Sequence, residues 1–421
     1  MDHVVVVGAS LAGLRACETL RTEGFSGRIT LVGAEAELPY DRPPLSKKLL
    51  KGDWDADRIR LRKADAFDSL DLDMRLGVTA TSLDTARGQL GVVRTPGAGA
   101  TASTPVESLD YDALLIATGA ACRRLPGQPD AEGIFELRTL ADALALRNEL
   151  LPDRRVVVIG AGFIGLEVAA TAKQRGCEVV VLEGAAAPLI RGLGAAMGSA
   201  VAAIHARNGV DVRCGVAVAG LDVDEATGHV TGVRVGAGSV VAADVVLIGI
   251  GVAPAVDWLH DSGLTLRDGV VCDETLWAGA PAVYAAGDCA RWTNPLFGDA
   301  GAGEVMRVEH WTNAAEQGAH AARNMLAVAA GQAPAAYETV PFFWSDQYDR
   351  RVQFLGRVHG DDDVEVVAGS LDDKFVALYG FGGRLRGVLA MSMPKLLMPY
   401  RQLLSDRISW EDALAHAAAA I

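Results

Sequence analysis

The apolar positions of the chain change rhythm in a repeating order. Val4 to Val7 is an unbroken apolar run, the pattern of a strand covered on both faces in a parallel sheet. Leu11 to Arg21 then carries apolar residues at helical spacing, and Ile29 to Val32 returns to an apolar run. The same order recurs with a strand at Arg155 to Ile159, a helix at Phe163 to Arg175 and a strand at Glu178 to Leu182. Two copies of one βαβ unit predict two Rossmann-type dinucleotide-binding domains in an α/β chain. Further strands are expected at Tyr111–Gly119, Asp244–Gly251 and Ala282–Ala286, the last running into Gly287-Asp288. After about Gly331 the rhythm becomes short and alternating, at Val352–Leu355, Val364–Val367 and Phe375–Tyr379. That pattern predicts an antiparallel sheet, and a helical stretch near Met398 closes a third, α+β domain. The Ala-rich end, His416 to Ile421, reads as a frayed helical tail.

Length agrees with this partition, because 421 residues exceed one ordinary core and call for two or three domains. The net charge of −14 argues against a nucleic-acid binder, which needs a basic footprint. No run of about 18 apolar residues occurs, so no transmembrane helix and no membrane role are expected. The first strand begins at once, with no signal h-region before it. Six cysteines (Cys17, Cys122, Cys177, Cys214, Cys272 and Cys289) include no closely spaced pair. This excludes a CxxC motif and predicts a reduced, cytoplasmic setting. The histidines form no spaced cluster with Cys or acids, so no metal site is expected.

The chemistry sits at the two strand-to-helix turns. The first reads Gly8-Ala9-Ser10-Leu11-Ala12-Gly13, a G-x-G-x-x-G fingerprint with Ser10 at its middle position. The first glycine makes the tight turn, the middle one admits a pyrophosphate, and the last lets helix and strand pack closely. The helix N-terminus beyond offers free N–H groups and a positive dipole to phosphates. Glu35 follows the second strand, where a carboxylate binds ribose hydroxyls. The second fingerprint, Gly160-Ala161-Gly162-Phe163-Ile164-Gly165, is complete, and Glu183 closes its second strand. A carboxylate there accepts from a free 2′-hydroxyl and repels a 2′-phosphate, which favours NADH, although Arg191 further on is placed to reach such a phosphate instead. Asp288 can accept hydrogen bonds from a ribityl chain; a helix N-cap is its ordinary alternative. One flavin and one nicotinamide are therefore expected. On this logic Gly160→Val should block the nicotinamide and leave the flavin in place.

Longer motifs carry a specific resemblance. They are PYDRPPLSK at Pro39–Lys47, Ala117-Thr118-Gly119, GAGFIGLEVAA at Gly160–Ala170, AGDCA at Ala286–Ala290, VEHW at Val308–Trp311 and FWSDQY at Phe343–Tyr348. Together they resemble the FAD-dependent pyridine-nucleotide oxidoreductases, and within them the ferredoxin reductases of bacterial oxygenase systems. The resemblance implies a glutathione-reductase-like fold. Its FAD-binding domain is discontinuous, 1–110 and 245–325; the NAD-binding domain is 111–244 and the C-terminal domain 326–421. It implies further FAD contacts at Arg42, Lys47, Ala80, Ala117, Thr118, Gly119, Arg138, Gly287 and Trp311, and a nicotinamide contact at Gly251. It also implies a Lys47–Glu167 pair flanking hydride transfer. Trp344 would lie near the flavin, with core filling as its alternative.

The same resemblance implies a sequence of electron transfers. A hydride passes from NADH to FAD, and single electrons then pass to a 2Fe-2S ferredoxin that serves a haem monooxygenase or a Rieske dioxygenase. Disulfide reductases of this superfamily keep a cysteine pair beside the flavin; the loop Pro43–Lys47 has none. Docking of an acidic ferredoxin would draw on local cations, with Arg307, Arg350, Arg351, Lys395 and Arg401 as candidates. The alternative is direct reduction of a small acceptor such as a quinone. A monomer is the expected state.

Overall fold

A computed structural model of the chain describes residues 1–95, 106–236, 238–298 and 303–420. It comprises two compact units, each assembled from three separate stretches. The first takes Met1–Asp41, Ile59–Ala121 and Ala253–Pro341; the second takes Arg42–Arg58, Cys122–Val252 and Phe342–Ile421.

The first unit is built on five parallel strands in the order Val283–Ala285, Ala113–Ile116, His3–Val7, Arg28–Gly33 and Leu72–Leu76. Val4 is in register with Ile29 on one side and Ala113 on the other. This central position explains why the Val run needs no polar alternation: Val4, Val5 and Val6 have no solvent exposure. The helix Leu11–Thr22 returns the chain and lies against the helix Trp311–Ala329. The two backbones approach closely where Gly318 faces Ala12. A Cβ at Gly318 would stand 2.1 Å from the Ala12 carbonyl oxygen. A three-stranded antiparallel sheet, Val78–Asp84, Gln89–Arg94 and Glu107–Asp110, completes this unit's first half.

The second unit repeats the parallel plan with strands Asp211–Cys214, Glu178–Glu183, Arg155–Ile159, Val245–Ile248 and Ile134–Phe135. Its helix Phe163–Gln174 anchors the excursion Arg42–Arg58. Thr171 donates to the Ser46 carbonyl at 2.8 Å, and the Arg175 guanidinium donates to the Lys51 carbonyl at 2.9 Å. The C-terminal stretch forms the expected antiparallel sheet, in the order Phe342–Gln347, Arg350–Gly356, Arg384–Met391, Phe375–Phe381 and Asp363–Gly369. Tyr379 ties it to the helix Ile190–Arg207 by donating to the Leu193 carbonyl at 2.8 Å. The tail departs from expectation. The helix Trp410–Ala420 is regular, and its Ala413 and Ala417 are buried, so small side chains dock it instead of letting it fray; Ile421 lies outside the described residues. The small antiparallel sheets at 78–110 and 218–242 were not anticipated, because their strands are short and weakly alternating. Among the described residues, no helix is long and apolar enough to cross a membrane.

One contact in each unit is testable. Gly318→Val pushes a branched side chain into the Ala12 backbone. It should cost about 1–3 kcal/mol or more in chemical unfolding, the range of forced overpacking. In the second unit, Asp244 joins adjacent strands by accepting from the Arg155 side chain (3.0 Å from Nε) and from the Arg155 backbone N–H at 2.9 Å. These bonds, the side-chain one foremost, hold its carboxyl at about 2. An unfolded Asp titrates near ~3.9. The pair therefore stabilises the fold fully above that value and loses its effect as pH falls from about 4 towards 2. Because the pair is partly exposed, the effect should be modest. Melting temperatures taken across that window should fall less steeply for Asp244→Asn than for the unmodified chain.

Candidate functional site

Each glycine turn shows why its residues are glycine. Gly8 has φ +121° and a Cβ there would lie 2.1 Å from the Ala117 carbonyl oxygen; one at Gly13 would lie 2.0 Å from the Gly8 oxygen. Both positions thus hold strand, helix and the Ala117–Gly119 segment in contact. Ser10 occupies the N-cap in an extended conformation, and the first helical bond runs from Leu14 N–H to Ser10 C=O at 2.9 Å. The N–H groups ahead of that bond lie outside the helical ladder. Thr118 donates to the Ala255 carbonyl at 2.8 Å, and Gly119 takes φ +69°. Gly287, with φ +79°, rests on Ala12, where a Cβ would come 3.4 Å from the Ala12 methyl. The first unit therefore brings Gly8, Ser10, Ala12, Gly13, Ala117, Thr118, Gly119, Gly287 and Asp288 into one region.

The remaining flavin candidates divide. Glu35 accepts from the Tyr40 hydroxyl. Trp311 opens its helix and donates its indole N–H to Asp41 at 2.6 Å. Ala80 is packed into the core of the first unit. Burial pushes the His310 imidazole down to about 4 against the opposing charge of Asp288, so it is neutral near pH 7. Arg42, Lys47 and Arg138 belong to the second unit, where the Arg42 guanidinium donates to the Arg138 carbonyl. Two residues of the first unit went unnoticed in the sequence. One is Asp41, inside the PYDRPPLSK motif. The other is Gln317, fully buried, whose amide oxygen accepts the Gly287 N–H at 2.8 Å. The Gln317 amide nitrogen is buried with no partner among the described residues. A buried donor left over beside the Gly287 turn fits a polar ligand seated there.

The second turn repeats the first with one difference. A Cβ at Gly160 (φ +102°) would lie 2.4 Å from the Gly249 oxygen, and one at Gly165 would lie 2.2 Å from the Gly160 oxygen. A Cβ at Gly162 would meet nothing within 4 Å. The open middle position fits a phosphate approaching the backbone. Gly160→Val would consequently break the turn itself, and the structure moves that test to Gly162. Glu183 is held by the backbone, accepting from Ala161 N–H at 2.7 Å and Ala185 N–H at 2.8 Å. Arg191 and Ile164 are exposed, and Gly251 (φ +104°) faces open space. Phe163 packs edge-on against Phe343, with ring centres 4.7 Å apart.

Glu167 is the most enclosed charge of the second unit, only 5% exposed. Its Oε2 accepts from the Lys47 ammonium at 2.6 Å and the Ser46 hydroxyl at 2.5 Å, and its Oε1 accepts from the Ser345 hydroxyl at 2.6 Å. The expected Lys47–Glu167 pair is thus formed, and two serines the sequence reading passed over complete it. Both stood inside quoted motifs, PPLSK and FWSDQY. Trp344 stacks on Phe342, with centroids 6.1 Å apart, and lies beneath the Arg351 guanidinium at 5.8 Å. The proposed docking cations are mostly engaged. Arg307 pairs with Glu309 at 2.6 Å, Arg350 with Asp373 at 2.5 Å and Arg351 with Asp346 at 3.5 Å. Lys395 is exposed and Arg401 half-buried. Burial raises the pKa of all six thiols, Cys17 to about 12. None is poised as a thiolate at neutral pH.

Comparison with known proteins agrees with this construction. Residues 2–318 match the pyridine nucleotide-disulphide oxidoreductase family, and residues 342–420 match the reductase C-terminal family. The chain is 37% identical over 408 residues to rhodocoxin reductase of Rhodococcus erythropolis, covering 96% of this chain and 90% of that one. It is 38% identical over 393 residues to the anthranilate 1,2-dioxygenase system ferredoxin–NAD(+) reductase component of Burkholderia cepacia, covering 93% and 91%. A crystal structure of the covalent putidaredoxin reductase–putidaredoxin complex superposes with a TM-score of 0.89 at 33% identity, covering 100% of this chain and 98% of the reductase. With both turns, their flanking strands and the C-terminal sheet matched, the chain belongs to the pyridine nucleotide-disulphide oxidoreductase family.

Proposed function

We propose that the chain is an NADH-dependent ferredoxin reductase that uses FAD and hands electrons to a 2Fe-2S ferredoxin serving a haem monooxygenase or a Rieske dioxygenase. The observation that carries this reading is likeness over nearly the full length of both partners to reductases named for oxygenase systems. The buried thiols support it, because a disulfide carrier needs an accessible thiolate. Six free cysteines suit the reducing cytoplasm, where NADH is also found.

When bound, FAD supplies the step from two-electron exchange with NADH to single electrons for an iron–sulfur acceptor, which no side chain can perform. The protein's part is binding, orientation and electrostatics. The Gly8–Gly13 turn would hold the flavin pyrophosphate, with Glu35 on the ribose, Ala80, Ala117–Gly119, Gly287 and Asp288 along the dinucleotide, and Arg42, Lys47 and Arg138 as further contacts. Trp311, fixed by Asp41, would exclude water beside the ring. Gly160, Gly162, Phe163, Ile164 and Gly165 would hold NADH, with Gly251 and Arg191 at its margins. Glu183, oriented by two backbone N–H groups, would select a free 2′-hydroxyl. Lys47 would place a positive charge where the reduced ring gathers negative charge, and Glu167 would keep that ammonium in position.

Three measurements test these roles. Gly162→Val should keep the fold and the yellow colour yet raise the NADH KM about tenfold or more, the scale of losing one hydrogen bond to a charged group; unchanged KM removes Gly162 from the site. Glu183→Arg should shift the NADPH-to-NADH ratio of kcat/KM towards NADPH by about tenfold or more, and an unshifted ratio withdraws the ribose assignment. Cytochrome c reduction by NADH should be strong only with a 2Fe-2S ferredoxin present. Equal rates without it would point to direct reduction of a small acceptor such as a quinone.

A further inference from the structure

The carboxylate of Glu167 is the end of a longer line of buried polar groups. Ser345 donates to it at 2.6 Å. The Gln347 amide nitrogen donates to the Ser345 oxygen at 3.1 Å. The Gln347 amide oxygen meets His205 Nε2 at 2.8 Å, and His205 Nδ1 faces the Tyr348 hydroxyl at 3.5 Å, the two rings lying edge to face. Ser345, Gln347 and His205 have no solvent exposure. Tyr348 lines a surface depression of about 540 Å³ together with Lys173, Gln174, Asn208 and Asp349.

The direction of every proton in this line follows from one end. Lys47 and Ser46 also donate to Glu167, so the carboxylate is surrounded by donors and is an acceptor only. Ser345 must then spend its single proton on Glu167. Its oxygen is left to accept, so Gln347 must present its amide nitrogen. The amide oxygen therefore faces His205, which must carry its proton on Nε2 and leave Nδ1 to accept from Tyr348. Reversing any bond from Glu167 to His205 leaves two acceptors or two donors face to face among buried groups. A carboxamide in the middle does not relay protons, so the line sets direction without conducting.

We propose that Ser345, Gln347 and His205 are positioning residues that hold the Glu167 carboxylate aimed at Lys47, the neutral Nε2–H tautomer of His205 being the far end of this constraint. The inference deepens the role of Glu167 given above and rests on that reading for its effect on turnover. Burial lowers the basicity of His205, in keeping with a neutral ring.

The test uses the FAD-loaded protein labelled with ¹⁵N-histidine, with His205 assigned through His205→Gln. The unmodified protein should show one neutral species protonated at Nε2. Ser345→Ala should release the line and give a mixture of tautomers, with a melting temperature lowered by a few degrees because the Gln347 amide loses its partner; Ser345→Thr, which keeps the hydroxyl, should restore the single species. Turnover with NADH should fall about tenfold in Ser345→Ala, the effect of one lost hydrogen bond to a charged group, with KM little changed, and recover in Ser345→Thr. A tautomer mixture or an Nδ1–H ring in the unmodified protein overturns the proposal. So does a single Nε2–H species that survives Ser345→Ala. The expected tautomer changes with turnover unaltered would support the line and remove Glu167 from hydride transfer.

Discussion

A carboxylate taken out of water must be given donors, and Glu167 draws three of them from two distant stretches of chain. Lys47 and Ser46 come from the excursion Arg42–Arg58, and Ser345 comes from the first strand of the C-terminal sheet. A buried carboxylate without partners is costly; here three donors surround it. Removing one member of a buried ion pair costs about 3–5 kcal/mol, because the other charge is stranded. The second unit is thus organised electrostatically where its helix Phe163–Gln174 is otherwise lined with small apolar residues. This requirement explains why a Ser-Lys pair from one end of the chain and a Ser from the other are needed at a single helix position.

The two glycine turns illustrate how one backbone solution serves two tasks. Gly8 and Gly13, like Gly160 and Gly165, leave no room for a Cβ because a carbonyl oxygen already fills the place. These four are demanded by packing alone. The middle position is not: at Gly162 the space is open, and in the first turn a Ser occupies the equivalent place. The middle position is thus the one that packing leaves open.

Much of this was legible in the sequence wherever the signal is local. The unbroken Val runs, the glycine spacing and Glu183 all lie within one βαβ unit, and the strands and helices found there follow the expected ranges closely. The donors around Glu167 lie 120 to 178 positions away, and no periodicity connects them. His205 was invisible for the same reason, being 142 positions from Gln347 on the face of a helix that otherwise reads as ordinary core. The excursion Arg42–Arg58 leaves no boundary mark either. Its membership of the second unit depends on Thr171 and Arg175 catching its carbonyls, which only the folded chain reveals. The docked tail was misread because alanine looks indifferent in sequence, yet fits where larger side chains would not.

The strand order of the first unit has a consequence for biosynthesis. Its central strand, His3–Val7, leaves the ribosome first, while the edge strand Val283–Ala285 and the helix Trp311–Ala329 that packs against Leu11–Thr22 follow some three hundred residues later. Translation at about 5–20 residues per second makes that interval tens of seconds. For the part of it after Ala113–Ile116 is made, four parallel strands lack the last strand and the covering helix. The nascent chain therefore carries an unpaired hydrophobic edge until Val283–Ala285 is made, and production in cells should depend on whatever shields that edge until then.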